Sequence, residues 1–124
     1  MSNVYVKTWE QVRSMEQRAE ALAMGTPVHE LSLIQMHVLD GLYFENGQHA
    51  SSLARTTGRA ATSFTPILDS LERRGLICRK DDPNDRRAIY VHLTPDGEAL
   101  RGDVQKVLVQ LNGEFSKKIL FAKS

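Results

Sequence analysis

Residues 81–97 read DDPNDRRAIYVHLTPDG, and the architecture of the chain turns on how they fold. Pro83 and Asn84 are turn formers set among carboxylates, so a tight reversal is expected there. After it, Ile89, Val91 and Leu93 alternate with Ala88, Tyr90 and His92, the period-two pattern of a half-buried strand. The preceding LICRK, residues 76–80, is also β-rich. Residues 81–87 are therefore expected to join two antiparallel strands in a hairpin whose tip carries Arg86 and Arg87. Thr94 then takes the place of a helix N-cap, Pro95 that of the first helical residue, and Asp96 and Glu98 those of first-turn acids.

Upstream of the hairpin the pattern is helical. Trp9, Val12, Ala19, Leu22 and Ala23 recur at helical spacing until Gly25-Thr26-Pro27 interrupts them. Ser32 with Gln35 three positions later has the spacing of a capping box. The helix it opens, roughly 33–45, is apolar on most sides and belongs at the centre of the domain. A short helix near 50–56 turns Leu53 and Ala54 inward, and Gly58 supplies a turn residue free to take a positive φ. A longer helix ending at Gly75 follows, with Phe64, Ile67, Leu68 and Leu71 as its apolar stripe. Short helix, glycine turn and longer helix trace the outline of a helix-turn-helix, which many helical domains share. Beyond the hairpin, Leu100, Val104, Val107, Leu108, Leu111, Phe115 and Ile119 form the seam of one long final helix. The first and last helices have no evident partner within the helix-turn-helix and hairpin between them. Trp9 and Val12 with Leu108, Leu111 and Phe115 are therefore expected to bundle between two copies of the chain.

Composition bounds the reading. With 124 residues, 41% hydrophobic and 25% charged, the chain has the size and balance of one globular domain rather than a disordered tail. Its longest apolar stretch, Leu31 to Phe44, is broken by Gln35, His37 and Asp40, so no membrane span is expected. The N-terminus lacks the layout of a secretion signal, and the lone Cys78 has no internal partner and reads as a packing residue. Both point to the cytoplasm. His29, His37, His49 and His92 show no metal-ligand spacing, and no phosphate loop or catalytic constellation is present. Neither a metal, a cofactor nor an enzymatic activity is expected. The net charge of +1 conceals an asymmetry: residues 1–50 sum to −3, whereas residues 51–90, with eight basic and five acidic side chains, sum to +3. Polyanions are drawn to such a patch.

A helix-turn-helix followed by a basic-tipped hairpin is a winged helix, and the residues become specific. Asp85-Arg86-Arg87, then Leu93-Thr94, then Gly97 resemble the D-x-R, LT, G signature of the MarR family of transcription regulators. SLERRGLI (70–77) and LSLIQMHVL (31–39) are similarly MarR-like, and the likeness covers about residues 30–100. It implies a mainly α winged helix-turn-helix with a small antiparallel β-hairpin wing. In that arrangement about 28–94 form the DNA-binding core, and about 3–24 and 95–121 form dimerisation helices. It further implies a cytoplasmic homodimer on double-stranded DNA, usually a repressor on a palindromic operator, often released by a small aromatic or phenolic effector. Trp9, Met36, His37 and Tyr43 are candidate pocket residues, though each reads first as core.

By that likeness Arg87 enters the minor groove, Asp85 holds the wing in place and the helix after the turn enters the major groove. The physics agrees, because a narrow minor groove concentrates negative potential and admits an extended guanidinium. Arg86 beside it suits phosphate, with Asp81, Asp82 and Asp85 expected to pair with the two arginines. If Phe64, Ile67, Leu68 and Leu71 face the core, Thr62, Pro66, Asp69 and Arg73 face away. Thr62, Ser63 and Thr65 lie where such helices meet base edges, and Arg59 and Arg73 suit phosphates. Pro66 departs from the family, which often has a basic side chain there, and offers only apolar contact, as to a thymine methyl. Either Ser63 caps a late helix or the helix starts near Ala61 and bends at Pro66. Asp69 is expected to pair with Arg73 at i, i+4. The thin base readout leaves a second reading open, a winged helix that binds a protein partner instead of specific DNA.

Overall fold

The computed structural model describes the backbone of residues 2–58 and 61–123 and the side chains of residues 8–58, 63–85 and 87–116. In chain order the elements are α1 (Ser2–Ala23), α2 (Leu33–Phe44), β1 (Gln48–His49), α3 (Ala50–Thr56), α4 (Ala61–Arg73), β2 (Ile77–Asp82), β3 (Asp85–Leu93), α5 (Pro95–Ala99) and α6 (Arg101–Lys123). The chain is mainly α, with a three-stranded antiparallel sheet in the order β1-β3-β2.

Both expected helix starts are made by side chains. The Gln35 amide nitrogen donates to Ser32 Oγ at 3.3 Å, and the Ser32 amide donates to Gln35 Oε1 at 2.8 Å, closing the capping box of α2. Thr94 Oγ1 accepts from the Gly97 amide at 3.1 Å at the start of α5. The central helix is buried along Met36, Val38, Leu39, Leu42 and Tyr43 and packs on α1, α4, α6 and β3. Its Gln35 side chain also donates to Ser70 Oγ at 2.9 Å, joining α2 to α4 through a satisfied polar contact. Burial pushes the Tyr43 phenol up to about 12, and its hydroxyl donates to the Gly97 carbonyl at 2.7 Å.

Three expectations need correction. The strands are longer than their apolar runs: β2 reaches Asp82 and β3 begins at Asp85, leaving only Pro83 and Asn84 as the turn. Ladder pairing, not hydrophobicity, sets those limits. The segment after Thr94 is two helices meeting at Leu100 rather than one. Third, the terminal helices do have partners within the same chain. Leu111 is buried in the core, α6 packs on α1 and α2, and Arg18 pairs with Glu114 at 3.0 Å. An apolar face nonetheless stays open, with Trp9 60% and Val109 72% exposed.

Candidate nucleic-acid interface

The helix-turn-helix is α3, the turn at Thr57 and Gly58, and α4. Gly58 takes a φ of +70°, a left-handed conformation open to glycine without a Cβ penalty. Within α4, Phe64, Leu68 and Leu71 are buried and Ile67 is half-buried against the core. Opposite them, Ser63, Thr65, Pro66 and Arg73 are exposed. The helix begins at Ala61 and runs through Pro66, so the late-capped alternative is ruled out. An interior proline costs about 3 kcal/mol. Each large apolar side chain taken out of water contributes roughly 1.5–3 kcal/mol, so the buried face of α4 outweighs that cost. Thr62 lies in α4 with its side chain outside the described residues, and Arg59 lies outside them altogether.

The acids of α4 do not pair as helical spacing suggested. Arg73 donates from Nε to the backbone carbonyl of Asp69 at 3.4 Å, not to its carboxylate. The Asp69 carboxylate instead meets Arg79 Nη2 on β2 at 2.6 Å. Glu72 joins the same guanidinium: its Oε1 is 3.0 Å from Nη2, and its Oε2 accepts from Nε at 3.4 Å and from the Arg79 amide at 3.2 Å. These contacts hold the Glu72 carboxyl below the usual range, the Arg79 side chain contributing most. Sequence reasoning missed Arg79. The only signal is a cation on a strand that follows a helix carrying Asp69 and Glu72, and spacing along the chain does not show that they meet.

On the wing, Arg87 is exposed and its backbone amide donates to Asp85 Oδ1 at 3.0 Å. Asp82 Oδ1 accepts from the Asn84 amide at 2.8 Å, closing the turn, and its Oδ2 stands 3.1 Å from His49 Nε2. Where the sequence predicts pairing of Asp81, Asp82 and Asp85 with the two arginines, the described contacts of Asp82 and Asp85 are to backbone amides and His49, and pairing with the Arg86 side chain falls outside the described residues. Short side chains reach the neighbouring turn amides more readily than a guanidinium two residues away. His49 also stacks on Tyr90 with ring centroids 4.3 Å apart, so the base of the wing is fixed to the start of α3. Cys78 is half-buried on β2, not fully packed.

Of the candidate pocket residues, only His37 lines the cavity of about 710 Å³ between α1, α2 and α6, together with Met15, Leu33, Ile34 and Leu108. Met36 and Tyr43 are buried in the core, and Trp9 is exposed. Among the described residues, no helix is long and apolar enough to cross a membrane.

Residues 31–89 match the model of the MarR family. Over 85 residues the chain is 28% identical to the uncharacterized HTH-type transcriptional regulator YkoM of Bacillus subtilis (strain 168), covering 68% of this chain and 55% of that protein. The HTH-type transcriptional regulator MhqR of the same strain is 32% identical over 76 residues, 61% of this chain and 52% of its own length. The structure of reduced AbfR bound to DNA superposes with a TM-score of 0.79 at 22% identity, covering 98% of this chain and 88% of AbfR, a likeness of fold. The chain spans about half the length of the curated relatives it matches.

Proposed function

We propose, because residues 31–89 match the model of the MarR family, that the chain is a double-stranded DNA-binding transcription regulator acting as a homodimer. The observation that carries this reading is the pairing of an exposed α4 face (Ser63, Thr65, Pro66, Arg73) with an exposed Arg87 on a braced wing. Phosphate contacts from arginines such as Arg73 and Arg86, with Arg59, supply affinity. Thr62, Ser63 and Thr65 supply modest base readout, and Arg87 follows the minor groove with Asp85 shaping the wing. Pro66 brings no donor to the major groove, which favours selection by duplex shape.

Exposed Trp9, Val12 and Val109 on the terminal helices support pairing of two copies. A two-fold dimer would present its recognition helices about 34 Å apart to a palindromic operator. Repression relieved by a small aromatic effector in the cavity of the α1, α2 and α6 layer completes the proposal. Duplex binding titrated against salt is the test. Several phosphate contacts require a steep fall in affinity between about 50 and 200 mM salt. A flat response, or binding only to a protein partner, would favour the interaction-module reading.

A further inference from the structure

We propose that Arg79 is a positioning residue that locks the wing to α4, so that both engage a duplex as one rigid body. This rests on the DNA reading above. Arg79 sits on β2 opposite Val91 of β3, a few residues before the wing turn. Its guanidinium forks between Asp69 at 2.6 Å and Glu72 at 3.0 Å, two acids one helical turn apart on α4, while its own amide is held by Glu72 at 3.2 Å. A planar guanidinium bound on several nitrogens fixes distance and angle together, which a lysine ammonium cannot do. The fixed distance runs from the helix carrying Thr65 and Arg73 to the strand pair carrying Arg87.

Pre-alignment matters because a duplex is held at two grooves at once. A wing free to swing would have to be ordered at the moment of binding, and that ordering weakens affinity. The clamp also offsets one of the two negative charges that Asp69 and Glu72 place on the helix proposed to face phosphates. The contact of His49 with Asp82 at 3.1 Å ties the wing to the start of α3, whereas Arg79 ties it to α4.

A double-mutant cycle tests the proposal. In the full chain at fixed salt, Arg87→Ala weakens duplex binding about tenfold or more. In an Arg79→Gln background the same change is expected to weaken it less than about threefold, because the wing no longer arrives aligned. A full tenfold loss in both backgrounds would overturn the clamp. Arg79→Lys, which keeps charge but not the fork, is expected to lose the coupling as Arg79→Gln does; coupling retained by lysine would overturn it too. A readout without DNA keeps the two proposals separate. Amide exchange across residues 80–90 should quicken about tenfold in Arg79→Gln while α2 is unchanged, and unaltered wing exchange rejects the clamp. If the unsubstituted chain bound no duplex, the DNA reading would fail and the exchange result alone would decide the role of Arg79.

Discussion

His49 Nε2 stands 3.1 Å from the Asp82 carboxylate, tying the residue before α3 to the last residue of β2. With the Asn84 amide on its other oxygen, Asp82 closes the wing turn and braces it sideways.

Acid should loosen that brace. The Asn84 amide and then His49 hold the Asp82 carboxyl below its ordinary value of 3.8. The stabilisation is therefore complete above that value and is lost as pH falls through the lower folded value. Asp82→Asn removes the titrating group. Thermal unfolding from about pH 6 to about pH 2.5 should show a shallower acid decline than in the unsubstituted chain. Matching declines would mean that the carboxylate contributes nothing.

Gly97 cannot accept a side chain. A Cβ there would run into the backbone carbonyl oxygen of Leu76 and crowd Leu93. Gly97→Ala is expected to destabilise the fold by about 1–3 kcal/mol, as overpacking does. Urea unfolding reads the change directly. An unchanged midpoint would show that α5 shifts freely on the wing root.

Pro66 should be a stability liability kept for its surface. Alanine restores the amide donor within α4, and the helical gain exceeds the 0.4–1 kcal/mol or so of unfolded-state restraint lost with proline. A net gain of about 2 kcal/mol is expected, checked by calorimetry. Loss of stability would mean that the helix geometry is built around the proline.

Arg87→Ala is expected to weaken duplex binding by about 1–3 kcal/mol while circular dichroism and unfolding midpoint stay unchanged. Arg87 is exposed and donates only its backbone amide among the contacts described, so removal of the side chain leaves the fold intact. Affinity unchanged at matched salt would remove the wing from the interface.

Local chemistry was legible in the sequence and long-range pairing was not. Ser32 with Gln35, Thr94 with Pro95, and the Phe64-Leu68-Leu71 stripe each declare themselves within about two helical turns, and each stands as read. The strand β1, only Gln48 and His49, is too short to show a period and exists because β3 offers it a ladder. Helical spacing, the one relation between charges that a sequence displays, assigns Asp69 to Arg73. The shorter, better aligned contact comes from Arg79, which chain folding brings to the same place. Leu111 reads as interface and is core, since an apolar seam does not say whose surface covers it. Arg59 and the side chains of Thr62 and Arg86 lie outside the described residues.

The outer border of β2 has a consequence of its own. A strand with vacant amides at the rim of a sheet is a template for a stranger's strand, and such recruitment is how small sheets polymerise. Here Glu72 occupies the Arg79 amide, and an irregular register at Asp81 and Asp82 spoils the straightness that an incoming segment would need. Through Glu72, the helix that lies beside the sheet therefore also keeps it solitary.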